Sequence, residues 1–439
     1  MKALSGYFEG PGGPYAAIVG IDWADQSHRV CLLCEGSAKE ERMQIGSDPA
    51  SVIKFARWLH ARVGSGKVAV VSEQSRGSLI YALLDFAFID LYAINPQAAA
   101  KYRKSLYPSG AKSDDIDAEG LMRMLFTHRD RMIRVRRNDP ASARLDAYSR
   151  HRRGLVDQRV QRCNQLGSYL KQYYPQALPM LGDELFAPIN LAFLSRWPCY
   201  AKLARTREDS LRRFYHGQGS RSTAAIQRRL EAFGASHPLS ADPMLDEICA
   251  MKVHDCIAQI RLLNRQISQI DKQLHKHFHA HPDRAIFASF PGAGPAMAPR
   301  LAAAWGTQRE RYDHVTQAQA YSGIAPITVQ SGNTWRVFTR RFAPVFLKQT
   351  FHEWAGLSIQ YSDWAKACYR LMRDRGKSQH EAKRALAFKW MRIMFRCWKA
   401  RTCYDESLYI QALIRRRSPV VDKMVEMGLL SEKEKLLCA

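Results

Sequence analysis

The sequence predicts an α/β domain followed by a mostly helical remainder. Three observations carry this. Short apolar runs with strand periodicity lie before residue 96, long charged helical patterns occupy the middle, and the last third opens on a glycine-proline turn.

Residues 1–14, rich in glycine and proline, read as a flexible leader. AAIVGID (16–22), HRVCLLC (28–34) and, more weakly, RMQIG (42–46) read as strands. A helix is expected over 50–63. KVAVVSE (67–73) is an apolar strand that ends in a carboxylate. Helix 77–88, strand LYAIN (91–95), a helix after Pro96 and another at 113–125 follow. The order βββαβα in a mixed sheet with flanking helices is RNase H-like, and it sets a first domain at 15–136.

Residues 137–282 read as two long helices. One runs from Pro140 to Tyr174 and the other from about Pro243 to His279. In the second, Val253, Cys256, Ile260, Leu263, Ile267, Ile270 and Leu274 step by alternating threes and fours, a heptad seam. A coiled-coil pair, within or between chains, is the favoured reading. A helix packed on its own domain is the other. Residues 175–240 read as an insertion between them. The third region, 283–401, opens with ASFPGAGPAMAPRLAAAW, whose Pro-Gly-Ala-Gly step resembles a helix-hairpin-helix turn. There Gly292 and Gly294 would let backbone amides approach a phosphate. The region is expected to stay helical and basic to about Arg401, and 402–439 to be a charged tail.

Lysine plus arginine number 66 against 41 acidic residues, a formal charge of +25. Such an excess along the chain favours a polyanion, since each neutralised phosphate releases counterions. No membrane span is expected: the most apolar stretch, Leu79 to Ile94, is short and carries Asp85 and Asp90. The opening residues lack an apolar signal core, so the expected location is the cytoplasm. Ten cysteines show no framework. Cys31 and Cys34 form a CxxC inside a strand, where they point to opposite faces, so buried thiols are preferred to a metal site. The run His275, His277, His279 and His281 reads as a basic helix end.

Asp22 closes the first strand and Glu73 the apolar one, both at a sheet edge open to solvent. KSDDIDAEGL (112–121) adds Asp114 and Asp117, one face of a helix, with Asp115 pointing away. Any of these alone is as easily a cap or a solvated turn. Together, four hard oxygen donors make a site for two magnesium ions, or manganese in their place, acting on a phosphodiester.

GIDWADQSHRV (20–30), VSEQSRG (71–77), AINPQAAAKYRKS (93–105) and KSDDIDAEGL resemble the DEDD transposases of the insertion-sequence-110 type. SFPGAGPAMAPRLAAAWG (289–306) and YSGIAPITVQSGNTWR (321–336) resemble that family's C-terminal domain. The resemblance covers roughly 15–136 and 284–400. It implies a RuvC-like half that binds metal through Asp22, Glu73, Asp114 and Asp117. It also implies a catalytic serine, here Ser331, that becomes a covalent phosphoserine, with Arg336 at the matching downstream basic position. By the same resemblance a bridge RNA from the element pairs with donor and target DNA, and dimers assemble into a tetramer whose sites combine subunits.

On its residues alone Ser331 is an ordinary Ser-Gly turn with no neighbouring histidine base. Arg336, Arg340, Arg341 and Lys348 could hold phosphates or form a solvated basic face. The chain departs from the family in its length at 175–240, in Ser113 where threonine is common, and in Phe342 near an expected glycine. Two other readings stay open. One is a junction-resolving nuclease using the first domain and water. The other is a non-catalytic nucleic-acid-binding protein, which the four intact carboxylates disfavour.

Overall fold

The computed structural model describes residues 15–430 apart from 38, 75, 111, 133, 138, 240–242 and 341–342. The chain divides into two compact units, Met1–Arg137 and Asn138–Ala439.

The first unit is a five-stranded sheet: β1 Tyr15–Asp22, β2 Ser27–Cys34, β3 Glu41–Gly46, β4 Lys67–Ser72 and β5 Ile89–Ala93, in the order β3-β2-β1-β4-β5. β1 runs antiparallel to β2 and parallel to β4, which is parallel to β5. Helices α1 (Pro49–Val63), α2 (Ser78–Leu83), α3 (Pro96–Leu106) and α4 (Asp114–His128) complete it, in the order the sequence predicts. β1 and β4 are apolar at nearly every position because both faces are covered. Val19, Ile21 and Val70 pack with Phe55 and Leu59 of α1, while Ile18 and Val71 pack with Leu121 and Met122 of α4. Each such side chain contributes about 1.5–3 kcal/mol by leaving water. Cys31 joins the α4 side and Cys34 the α1 side, as strand alternation requires.

The second unit is helical around two long members, α5 (Pro140–Tyr173) and α11 (Pro243–His279). Between them, residues 175–240 fold into α6 (Leu178–Leu181), α7 (Pro188–Arg196), α8 (Tyr200–Ala204), α9 (Glu208–Gly217) and α10 (Thr223–Gly234). The heptad seam is buried within the chain, against three different surfaces. Val253, Cys256 and Ile260 share a core with Leu166 and Leu170 of α5 and with Phe193 and Trp197 of the inserted helices. Leu263 and Ile267 meet Leu155 of α5, and Leu274 joins the C-terminal core. An Arg152–Asp271 ion pair (2.5 Å) and an Arg159–Asn264 hydrogen bond (3.0 Å) fix the register of the two helices. His281 is buried beside Ser142 at 3.0 Å, and His277 stacks on Tyr148, so these two histidines tie the helices together.

The C-terminal part adds α12 (Arg284–Ala288), α13 (Met297–Trp305), α14 (Val315–Tyr321), the hairpin β6 (Ile327–Ser331) and β7 (Thr334–Phe338), α15 (Val345–Ser358), α16 (Asp363–Asp374), α17 (Gln379–Ala400), α18 (Glu406–Arg415) and α19 (Pro419–Glu426). Five tryptophans, Trp305, Trp354, Trp364, Trp390 and Trp398, are fully buried at its centre. Two expectations are corrected here. The stretch expected to be helical throughout contains the β6–β7 hairpin, because ITVQS and TWRVF are rich in β-branched and aromatic residues on either side of Gly332-Asn333. The expected charged tail from 402 contributes α18 and α19, whose Leu413, Ile414, Val420, Val421 and Met424 enter the same core. Among the described residues no helix is long and apolar enough to cross a membrane.

Candidate metal centre and candidate nucleophile

Asp22 is the last residue of β1, and Ile21 is in register with Ser72 of the parallel neighbour β4. Asp22 and Glu73 therefore leave the sheet side by side. α4 brings Asp114 and Asp117 to the same edge because β1 carries glycine at position 20. A β-carbon there would lie 2.2 Å from the Ala118 carbonyl oxygen and 2.4 Å from the Met122 nitrogen, so only glycine lets the α4 backbone lie on the strand. Ser113 caps the helix by accepting from the Ile116 N–H (3.3 Å). Asp115 turns to Arg29 of β2 at 3.7 Å.

Asp22 and Glu73 feel the charges around them. Burial pushes the Asp22 carboxyl up to about 6, and Asp117, Glu73 and Asp114 add to the rise against Lys112. Burial and Asp117 raise Glu73 too, while Arg103 and Lys112 oppose. Like charges crowded at one edge are what a cation site needs. Even so, among the described residues no three His, Cys, Asp or Glu side chains converge on a single ligating point. Asp117 forms an ion pair with Arg103 of α3. The donor chemistry thus suits a hard divalent cation, and Arg103 engages only one of the two Asp117 carboxylate oxygens. Arg103 and Lys112 were passed over as individual residues in the sequence, though both stand in the KYRKS and KSDDIDAEG segments.

Ser331 ends β6 at the tip of the hairpin, before the two-residue turn Gly332-Asn333, where Gly332 has φ +56°. All ten strand residues are exposed. Ser331 pairs with Thr334, and strand alternation puts Val329 and its partner Arg336 on the same face. The other serines that could be weighed as nucleophiles are committed elsewhere. Ser322 is buried and donates to the Gln319 carbonyl (3.2 Å). Ser358 is buried, donates to the Ala355 carbonyl (2.8 Å) and accepts from the Trp390 indole (2.8 Å).

The basic residues after the hairpin divide. Arg336 is exposed. Arg340 is partly buried and its Nε lacks a partner. Lys348 spends its ammonium on the Arg340 carbonyl (3.1 Å), and burial lowers its pKa. Arg341 and Phe342 lie outside the described residues. Gly292 has φ +72° and presses on the Leu357 and Ser358 backbone, where a β-carbon would sit 3.1 Å away. Its glycine is required by packing. Gly294 has open space around it.

The sheet with its acidic edge and the large helical unit that follows it in the chain define a two-unit α/β-plus-α protein with a candidate phosphodiester site. Residues 19–175 match a family model described as a transposase of the DEDD IS110 type, and 284–370 match one described as transposase, IS116/IS110/IS902 family. The chain belongs to the IS110 family of transposases, enzymes that cut and rejoin DNA. It is 29% identical over 409 residues to the "Mini-circle putative transposase for IS117" of Streptomyces coelicolor, covering 90% of this chain and 97% of that one. It is also 29% identical over 195 residues to the "Putative transposase y4uE" of Sinorhizobium fredii, covering 44% of this chain and 54% of that one.

Proposed function

We infer that this transposase is a serine recombinase that cuts and rejoins donor and target DNA through a phosphoserine at Ser331. In this reading Asp22, Glu73, Asp114 and Asp117 hold a divalent cation, magnesium or manganese, and a bridge RNA selects both DNAs. The single observation that carries it is the placement of Ser331: a hydroxyl at the tip of an exposed hairpin, on one face with Arg336, while Ser322 and Ser358 are buried and bonded.

The step balances as a transesterification. The Ser331 hydroxyl oxygen bonds to the scissile phosphorus, the bond from phosphorus to one deoxyribose oxygen breaks, and the proton lost by serine ends on that leaving oxygen. Rejoining reverses this with a different strand's hydroxyl, so no ATP is needed. In this reading Arg336, on the same face as Ser331, holds the attacked phosphate through paired guanidinium hydrogen bonds. A cation bound by the four carboxylates would neutralise charge on the phosphate and acidify a hydroxyl. Guidance by RNA and assembly from dimer to tetramer rest on the family likeness, and the +25 charge suits two nucleic-acid partners. A junction nuclease attacking with water would have no use for a serine presented on a hairpin.

Denaturing electrophoresis of the protein with labelled DNA and guide RNA tests the reading. The wild type should give a protein–DNA band that survives SDS and disappears with protease. Ser331→Ala should bind nucleic acid and give no band. A band that persists in Ser331→Ala would move the nucleophile elsewhere.

A further inference from the structure

A cavity of about 630 Å³ opens in the C-terminal unit, away from the hairpin residues. Its walls come from α5, from the 290–297 turn, from α13 and from α15. Three guanidinium groups line it: Arg152 is paired with Asp271, Arg153 with Asp157 and Glu353, and Arg300 with Glu353.

The polar groups at its wall are incompletely satisfied. Arg300 has a side chain only 9% exposed. Its Nε donates to Thr350 Oγ1 (2.7 Å) and its Nη1 to Glu353 Oε2 (2.7 Å), but Nη2 has no partner. Ser149 is 3% exposed and its hydroxyl also has no partner. Glu353 leaves Nη2 unbonded: one of its oxygens accepts from Arg300 Nη1 and the other from Arg153 Nη1 at 2.7 Å. Buried donors without acceptors are rare in folded proteins, and each calls for a partner such as a water, an ion or a ligand. Gly294, at the same wall, has no positive φ and nothing within 4 Å of a β-carbon position. The fold has no need of glycine there, and what glycine does is leave the cavity unobstructed. The remaining wall is apolar, with Val156, Phe290, Leu357 and the exposed Tyr361.

We propose that this cavity seats one unstacked nucleotide of a bound nucleic acid strand, its phosphate on Arg300 and Ser149 and its base against Tyr361 and Leu357. The acceptors that Arg300 Nη2 and Ser149 lack are phosphate oxygens. Arg152 and Arg153 are held by Asp271 and by Asp157 with Glu353, so the free donors are Arg300 Nη2 and the Ser149 hydroxyl, and the apolar wall takes the face of any base. The inference rests on the chain's reading as a nucleic-acid enzyme and is independent of Ser331.

The test is fluorescence anisotropy of the full chain with labelled 20-nucleotide single-stranded RNA, single-stranded DNA of the same sequence, and duplex DNA. Ser149→Ala removes a hydroxyl that bonds to nothing, and Gly294→Leu fills the open space, so both should melt like the wild type. Each should weaken single-strand binding by about tenfold and duplex binding less. A loss confined to RNA assigns the nucleotide to the guide, and a loss confined to DNA assigns it to a substrate strand. Unchanged single-strand affinity in both variants overturns the proposal. If those variants bind normally and the wild type still forms its serine adduct, the pocket assignment fails alone. If the wild type binds no nucleic acid, the underlying reading fails with it.

Discussion

Gly20 and Asp117 show how single residues set the acidic edge. Gly20→Ala forces a β-carbon onto α4 backbone atoms at 2.2 and 2.4 Å, so helix and strand must separate. Overpacking of this kind costs about 1–3 kcal/mol, and it moves Asp114 and Asp117 relative to Asp22. Chemical denaturation should show that loss, together with reduced DNA cleavage. A variant as stable and active as wild type would mean that α4 is not seated on Gly20. Asp117→Asn keeps the size of the side chain and removes its charge. Strand cleavage in magnesium should disappear while nucleic-acid affinity stays near that of the wild type, and normal cleavage would remove Asp117 from the metal set. The acidic candidates were legible because strand ends and helix-face spacing are local properties. The Arg103 ion pair was not, since it depends on α3 meeting α4 in three dimensions.

At the scale of elements, the β6–β7 hairpin and α11 are instructive. The hairpin was readable in ITVQS-GN-TWRVF, yet its helical flanks, α14 and α15, masked it. It presents Trp335, Val337 and Phe338 to solvent, exposed by 66%, 67% and 49%. Exposed side chains that support no core change stability by no more than about 0.5 kcal/mol when replaced. Trp335→Ser and Val337→Ser should therefore melt like the wild type yet lower the yield of DNA adduct. A large drop in melting temperature would show instead that the hairpin packs on the body. The α11 seam was visible as a heptad, but its partners were not. The helices of residues 175–240 join α5 in covering its first part, α5 covers the middle and the C-terminal core takes Leu274, a long-range outcome with no local signature. The same holds for α18 and α19, whose five buried apolar residues are outnumbered in sequence by charged neighbours.

For the molecule as a whole, the +25 charge predicts that affinity for RNA or DNA falls steeply as salt rises, since every phosphate contact displaces a counterion. Binding titrations across salt concentrations check this, and a flat response would assign the charge to something other than phosphates. The order of elements in the first unit was readable throughout, because each strand and helix carries its own period. In the proposed mechanism recombination turns on a single bond, between Ser331 and a DNA phosphate, and that bond can be located. Trypsin releases the segment 312–336, which contains both Ser322 and Ser331. Protein trapped with DNA, trimmed with nuclease and digested should yield this peptide carrying a nucleotide. Fragmentation in the mass spectrometer should place the nucleotide on Ser331. A nucleotide on Ser322 or on another peptide, or recombinant DNA with no modified peptide at all, would contradict the phosphoserine mechanism.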